Sequence, residues 1–144
     1  MSKPIPIRDL ATLLATLNPQ RQPGVFVFTS IPFGAGWPYD PSQIIASIHE
    51  PEGLSLIMPE AAAQQAGLSI LARCAWITLN VTSDLAAVGL TAAVASQLRD
   101  HGLSCNIVAG AFHDHLFVPL ADAEQALNAL QDLQAQAQRD QHPT

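Results

Sequence analysis

The fold is decided by residues 75–127, which read AWITLNVTSDLAAVGLTAAVASQLRDHGLSCNIVAGAFHDHLFVPLADAEQAL. The first seven residues alternate as in a strand, and a helix is predicted over 84–100 because apolar residues recur there at helical spacing. The Thr, Ser and Asp around its start are good N-cap residues. Strands at 103–109 and 114–119 and a helix from 122 to about 136 follow. This strand–helix–strand–strand–helix order is typical of the ferredoxin-like topology.

The first half of the chain carries a weaker copy of this pattern. A shift of 60 residues superposes Leu56 on Leu116 and Pro59 on Pro119. The first half has a Gly- and Pro-rich loop at 32–42 where the second half has its first helix. The sequence therefore predicts an internal repeat of two related units.

The predicted fold class is α+β, with two ferredoxin-like units that each form an antiparallel sheet with helices on one face. The first unit is expected at residues 1–70 and the second at 71–137, followed by a frayed tail at 138–144. An amphipathic helix at 8–17 is predicted to fill the helix position that the first unit leaves vacant.

Charge and hydrophobicity narrow the class of partner. The chain has 144 residues, of which 49% are hydrophobic and 12% charged, and its net charge is −6. Its six Lys and Arg residues are scattered, which argues against nucleic acid as a partner. Because so little charge leaves apolar surface exposed, we expect a homodimer that buries part of that surface.

The cellular compartment is indicated by the apolar stretches and the cysteines. No apolar stretch approaches the roughly 20 residues that span a bilayer, so no membrane association is predicted. The N-terminal residues contain no apolar signal-peptide core, and Cys74 and Cys105 are expected to be buried thiols rather than a disulfide. A cytoplasmic location is therefore expected.

Four segments resemble one known family. They are LNPQRQPGVFVFTSIP (17–32), SIHEPEGLSLIMPEAAA (47–63), TSDLAAVGLTAAVASQL (82–98) and GLSCNIVAGAFHDHLFVPLADAEQAL (102–127). Over roughly residues 10–133 the chain resembles the small bacterial tandem ACT-domain proteins, and more distantly the animal cytosolic arginine sensors. The segments EGLSL and HDHLFVP, taken as a pair, are the most specific part of this resemblance. The resemblance implies that both units are ACT-like.

The resemblance also implies regulation by a small ligand, an amino acid, at an interface between ACT units. In ACT domains the ligand lies near the loop from the first strand into the first helix, which here is residues 82–90. The free N–H groups at the predicted helix start favour a ligand carboxylate, and plain N-capping by Ser83 or Asp84 is the alternative. The candidate ligand-binding residues of this segment are Ser83, Asp84, Leu85, Ala86, Val88, Gly89 and Leu90.

Two glycines belong to the candidate site. Gly89 falls inside the predicted helix, where glycine costs about 1 kcal/mol relative to alanine, so either close helix–sheet packing or ligand access is expected there. In the turn Glu52-Gly53-Leu54, Glu52 could bind the ammonium group of a ligand while Gly53 lets the backbone approach. A solvated turn is an equally good interpretation of these residues.

The sharpest polar cluster is His113-Asp114-His115, in which the two histidines point to one face of a strand. Hydrogen bonding between units, or ligand contact by Asp114 or His115, is expected, and Asn106 of the neighbouring strand is expected to join them. A metal held by the two histidines, with His49 as a third ligand, is the alternative. No Cys or carboxylate is positioned to complete such a shell, so no metal or other cofactor is predicted.

No enzyme motif occurs in the sequence, and two ACT units leave no room for a catalytic domain, so an enzyme is not expected. Three hypotheses of function remain. The first is a dimeric amino-acid sensor whose output passes through an unknown protein partner. The second is a ligand-free protein–protein interaction module. The third is a metal-binding protein or minor enzyme that uses the His113–His115 cluster.

Overall fold

The structure is a computed structural model that describes residues 5–36 and 40–142. These residues form two compact units. The smaller unit comprises Pro23–Ala75, and the larger unit comprises the described residues up to Gln22 and those from Trp76 onwards. The residues before Pro23 therefore pack with the second half of the chain.

The described residues form four α-helices and seven strands. In chain order these are α1 (Leu10–Ala15), β1 (Pro19–Arg21), β2 (Phe26–Ile31), β3 (Ala46–Glu50), β4 (Gly53–Pro59), α2 (Glu60–Gln65), β5 (Ala72–Leu79), α3 (Leu90–Asp100), β6 (Asn106–Ala109), β7 (Asp114–Pro119) and α4 (Ala123–Gln141). Short 3-10 turns precede β3 and α4. Within the described ranges, no helix combines the length and the apolar character needed to cross a membrane.

In the larger unit the elements from β5 to α4 follow the predicted strand–helix–strand–strand–helix order. Strand β7 lies between β5 and β6, and β1 pairs antiparallel with the end of β5. Ile77, Leu116 and Val118 are fully buried, and Phe117, on the opposite face of β7, is only 1% exposed. Burial of each such side chain contributes about 1.5–3 kcal/mol. Helices α1, α3 and α4 pack on one another, and the predicted ferredoxin-like fold is confirmed.

In the smaller unit β4 lies between β3 and β2, and these strands are antiparallel. A buried cluster that includes Leu56 of β4 and Ala63 of α2 joins the strands to the short helix. The described part of the predicted 32–42 loop contains no α-helix and ends in a 3-10 turn. Residues 37–39 of that loop lie outside the described residues.

The two hairpins share one register. Ala46 of β3 faces Ile57 of β4, and 60 residues later Asn106 of β6 faces Phe117 of β7. The remaining pairs of the β6–β7 ladder also match pairs of the β3–β4 ladder when 60 is added to each residue number. Because a slip of one residue would turn each side chain to the opposite face, this agreement confirms the predicted repeat.

The two ends of the chain differ from the prediction. The sequence places the N-terminal helix in the vacant position of the first unit, whereas α1 packs on α4 and α3 of the larger unit. Gln138 of α4 donates through Nε2 to the carbonyl oxygen of Ala15 (3.0 Å), which provides a partner at the end of α1. Helix α4 continues to Gln141, although the frayed tail is predicted to begin at residue 138. Residues 143–144 of that tail lie outside the described residues.

Candidate functional site

The loop between β5 and α3 is longer than predicted. Helix α3 begins at Leu90 rather than at 84, so the predicted helix start at Ser83 and Asp84 is wrong. The Asp84 carboxylate instead accepts a hydrogen bond from the N–H of Ala86 (2.7 Å). The backbone carbonyl of Asp84 accepts a second one from the N–H of Ala87 (2.9 Å). These bonds close a local turn, and such side-chain turns compete with helix formation.

Gly89 precedes the helix and does not interrupt it, so its predicted place inside the helix is also wrong. Its φ of +101° lies in the left-handed region, which side chains other than glycine rarely adopt. A Cβ at this position would lie 3.0 Å from Cδ2 of Leu10, so α1 approaches the backbone closely. Because the residue at the N-cap of α3 is a glycine, it has no side chain that could accept from the first N–H groups of the helix. Among the described residues, no side-chain cap forms at this end of α3.

The residues before α1 run beside this loop. The N–H of Ile7 donates to the carbonyl of Thr82, and the N–H of Asp84 donates to the carbonyl of Ile7, both at 2.9 Å. Arg8 Nε donates to Asp84 Oδ2 at 2.7 Å. This bond, assisted by the N–H of Ala86, lowers the pKa of Asp84 below its ordinary value. The N-terminal segment therefore holds the loop and keeps Asp84 ionised.

A pocket of about 80 Å³ opens beside the loop, the start of α3 and the β6–β7 hairpin. It is lined by Ser83, Asp84, Leu85, Ala87, Leu90, Thr91, Ala109 and Asp114. Ser83 Oγ donates to Asp114 Oδ2 at 3.4 Å. Two carboxylates and the start of a helix thus share one pocket. Because the N-terminal end of a helix carries partial positive charge, the pocket offers one place for a cation and one for an anion.

Five of these eight lining residues are candidates from the sequence, namely Ser83, Asp84, Leu85, Leu90 and Asp114. The structure brings Asp114 to the loop although it lies 31 positions from Ser83 in the chain. This juxtaposition is the main support for the predicted site.

The remaining candidates of the loop lie at its edge. Ala86 is exposed, and Val88 is 84% exposed. Leu85 is 71% exposed although it lines the pocket. An apolar rim therefore borders the pocket.

Sequence reasoning misses three of the lining residues, Ala87, Thr91 and Ala109. A signal for Thr91 does exist, because Gly is a tolerated N-cap and a buried apolar repeat begins at Leu90. That pattern places Thr91 in the first turn of α3. Ala109 has no local signal, because its position depends on how the β6–β7 hairpin packs.

His115 belongs to a hydrogen-bonded network in the larger unit. Its Nδ1 accepts a hydrogen bond from Trp76 Nε1 at 3.0 Å and lies 3.1 Å from the Thr78 hydroxyl. Thr78 Oγ1 accepts from Gln22 Nε2 at 3.0 Å, so its own proton is available for His115. Burial, and then the nearby His113, lower the pKa of His115 below its ordinary value, which Asp114 partly offsets. The hydrogen bond from Trp76 and the lowered pKa both favour the neutral form of His115.

His113 has a separate partner and precedes the first residue of β7. Its Nδ1 lies 3.2 Å from the carbonyl oxygen of Val81, to which it can donate. The two histidines therefore have different contacts, and they are not two equivalent side chains of one strand face. Among the described residues, no three His, Cys, Asp or Glu side chains come together as a metal site requires.

Four other candidates do not line this pocket. Asn106 is exposed in β6, and Glu52 is exposed in the turn between β3 and β4. Leu54 belongs to the buried cluster of the smaller unit. Gly53 has a φ of +148°, and a Cβ there would lie 2.5 Å from the carbonyl oxygen of Ile31. The close approach at Gly53 is therefore made by strand β2, and a ligand-binding role for these residues stays a prediction.

The two cysteines are free thiols, with Cys74 buried and Cys105 half-buried. Burial raises the pKa of both thiols. Because the thiolate is the reactive form, neither cysteine is activated as a nucleophile.

Comparison with known proteins identifies the family. Two ACT-domain models match the chain in tandem, over residues 6–75 and 71–132. A solved Vibrio cholerae protein of unknown function, described as a possible transport protein, is 43% identical, with 87% of this chain and 95% of that chain covered and a TM-score of 0.74. No curated protein matches the chain.

More distant solved structures share the fold alone. The ligand-free regulatory subunit of aspartate kinase from Thermus thermophilus is 13% identical, with 82% of this chain and 97% of that chain covered and a TM-score of 0.60. The corresponding subunit from Thermus flavus is 13% identical, with 80% and 95% covered and a TM-score of 0.58. The resemblance drawn from the sequence is confirmed: the chain belongs to the ACT-domain family and carries two ACT domains in tandem.

Proposed function

We propose that this chain is a regulatory sensor that binds an amino acid in the pocket beside the β5–α3 loop. ACT domains are regulatory, ligand-sensing modules, and the chain consists almost entirely of two of them. The observation that carries the proposal is the presence of two carboxylates and an uncapped helix start in one pocket. The loop is also the one to which the family resemblance assigns the ligand.

The size of the pocket favours a small metabolite. Its volume of about 80 Å³ is far below the roughly 300–1,000 Å³ of pockets that enclose drug-sized ligands. It can hold the ammonium group, the α-carbon and the carboxylate of an amino acid. The side chain of the ligand would then extend past the apolar rim formed by Leu85.

The charges of the pocket match the two ends of an amino acid. The Asp84 carboxylate is already engaged by Arg8 and by the N–H of Ala86. Within the described residues, the hydrogen bond that the Asp114 carboxylate accepts from Ser83 is long (3.4 Å), so this carboxylate is the acceptor we propose for the ligand's ammonium group. The ligand's carboxylate would meet the N–H groups at the start of α3, where the helix dipole favours an anion.

A sensor of this kind acts through a change in its partner, not through catalysis. We propose that ligand binding orders the β5–α3 loop and that a protein partner, or a second copy in a homodimer, reads this change. A cytoplasmic location and a non-enzymatic role complete the proposal. The interface between ACT units that the resemblance implies stays a prediction.

Thermal unfolding in the presence of each of the twenty amino acids tests the proposal. A ligand present at 100 times its Kd should stabilise the protein by about 2.7 kcal/mol, which is seen as a higher Tm. We expect at least one amino acid to produce such a shift at millimolar concentration. Asp114→Asn should weaken its binding by about tenfold or more, since it removes a charge-assisted hydrogen bond.

Asp132→Asn is the matched control, because Asp132 is exposed on α4 and is not among the lining residues of the pocket. This variant should bind like the wild type. If none of the twenty amino acids raises the Tm of the wild type, the sensor proposal is wrong.

The exposed rim favours a ligand-free interaction module as the second candidate function. Leu85 and Val88 are 71% and 84% exposed, and apolar residues at such a turn can anchor a partner protein. This candidate predicts no amino-acid-dependent change in Tm, together with a stable complex or self-association in sedimentation velocity. Replacement of Leu85 and Val88 by serine would then abolish that association.

A further inference from the structure

The N-terminal segment Ile7–Leu10 lies alongside the β5–α3 loop and contacts both of its ends. Ile7 is hydrogen-bonded to Thr82 and to Asp84, at the beginning of the loop. Leu10 lies against Gly89, at its end. The segment therefore supports the loop that lines the pocket, although Arg8 and Asp84 are 76 positions apart in the chain.

Arg8 is held between two fixed neighbours. Ile7 forms the bridge to Ser83. On the other side, the Asp9 carboxylate caps α1 by accepting hydrogen bonds from the N–H (2.9 Å) and the hydroxyl (2.7 Å) of Thr12. The backbone of Arg8 is therefore held beside the loop, and the bond from its Nε to Asp84 holds the guanidinium near the pocket.

The guanidinium of Arg8 retains donors for a further partner. Only Nε is engaged, by Asp84 Oδ2, and the two terminal nitrogens have no partner within the described ranges. The Arg8 side chain is 71% exposed, at a carboxylate that lines the pocket. Two terminal nitrogens with their N–H groups in a plane are suited to bind a carboxylate through two parallel hydrogen bonds.

From this geometry we propose that Arg8 is a specificity-determining residue, which binds the ligand's carboxylate from the solvent side while the N–H groups at the start of α3 meet it from within the pocket. The inference rests on the proposed function and names the residue that separates amino acids from simple amines. With Asp84 and Asp114 alone the site would attract any cation. Arg8 leaves one net negative charge for the ammonium group and adds a positive group for the carboxylate.

The test compares each amino acid that stabilises the wild type with its α-carboxamide, which keeps the ammonium group and lacks the negative charge. Calorimetric titration gives Kd for both compounds. We expect the wild type to prefer the acid by about tenfold or more, because charge-assisted hydrogen bonds to a carboxylate are lost in the amide. Arg8→Gln should reduce this preference to about twofold without lowering the affinity for the amide, because the removed positive charge does not attract its ammonium group.

Three further variants isolate the role of Arg8. Arg139→Gln, which changes an exposed arginine of α4, should keep the full preference for the acid. Arg8→Lys should keep part of it and replaces Arg8→Gln if that variant does not fold. Asp84→Asn leaves the guanidinium in place without its charged partner, and the preference should survive.

The outcomes separate this inference from the proposed function. If the wild type binds an amino acid and Arg8→Gln keeps the full preference for the acid, the inference alone is overturned, and Arg8 serves only to hold Asp84. An equal loss of affinity for acid and amide in Arg8→Gln also overturns it, because that is the mark of a structural role. If the wild type binds no amino acid, the proposed function fails, and the inference fails with it.

Discussion

The two ACT domains share a hairpin but differ in what precedes it. In the larger unit β5 leads through a loop into the eleven residues of α3, whereas in the smaller unit β2 leads to the 3-10 turn Pro41–Gln43. The hairpins that follow have the same register. A helix of three turns begins with free N–H groups at the positive end of its dipole, and α3 has no side-chain cap. A single 3-10 turn has only a small dipole, and at Pro41–Gln43 the Asp40 carboxylate already accepts a hydrogen bond from the N–H of Ser42. The unrepeated crossover therefore supplies most of the candidate site, and the repeated β6–β7 hairpin adds Ala109 and Asp114 to it.

The largest expected loss of stability comes from two substitutions that test whether the β3–β4 and β6–β7 hairpins are equivalent. Leu56 and Leu116 occupy the same position of the repeat and are both fully buried. Leu56→Ala and Leu116→Ala should each lower the free energy of unfolding by about 2–5 kcal/mol, because each removes apolar contacts and leaves a cavity. Urea unfolding measures both. Leu71→Ala, at a residue that is 70% exposed, should cost less than about 0.5 kcal/mol.

The equivalence of the hairpins would be refuted by a loss below about 1 kcal/mol at one of the two buried leucines and a full loss at the other. Similar losses at both positions would sharpen the comparison, since the units would then differ mainly in their crossovers.

A loss of stability of intermediate size is expected from a substitution at the start of α3. Gly89→Ala should lower the free energy of unfolding by about 1–3 kcal/mol, because alanine would be strained at a φ of +101° and its Cβ would press on Leu10. Gly67 is the matched control, with a φ of +69° and no atom within 4 Å of a Cβ. Gly67→Ala should cost only about 1 kcal/mol. Equal losses in urea unfolding at the two glycines would show that the approach of Leu10 adds nothing.

The smallest effect on stability is a pH dependence that we expect from His115 of the larger unit. His115 occupies the repeat position of Ser55, whose hydroxyl donates to Glu50 and does not titrate in this range. Because burial lowers the pKa of His115 in the folded state, folding favours the neutral ring. Its contribution to stability is therefore complete above the ordinary pKa of 6.5 and declines as the pH falls below that value.

Thermal unfolding between pH 8 and pH 5, a range spanning the ordinary histidine pKa of about 6.5, checks this expectation. His115→Asn can still accept a hydrogen bond from Trp76 but cannot take up a proton there, so its Tm should fall less steeply with acid than that of the wild type. His142→Asn, at an exposed residue after α4, should behave like the wild type. Parallel curves for His115→Asn and the wild type would contradict the assignment.

Much of the fold was predictable because its signals are local. Alternation along 75–81 identifies β5, and the turn residues Pro51 to Gly53 locate the first hairpin. The repeat follows from apolar residues at matched positions. The start of α3 was not predictable to the same degree, because Ser83 and Asp84 are good N-cap residues that here form a turn and an ion pair instead.

The candidate site was predictable in part. The family resemblance led to the loop from Ser83 to Leu90, and the structure places several of its residues with Asp114 in one pocket. Arg8 was not found from the sequence, because the bond that brings it to Asp84 spans 76 residues. No local sequence pattern distinguishes an arginine that is solvated from one that forms an ion pair with a carboxylate far away in the chain.

The sequence by itself determined the order of the elements, the repeat and the ACT family, because periodicity, turn residues and motif order act over short stretches of chain. Only the tertiary structure decided that α1 packs with α4, that α3 begins at Leu90 and that Arg8 reaches Asp84. The physical reason is that these features depend on contacts between residues far apart in the chain. Their free energy arises only when packing brings the partners together.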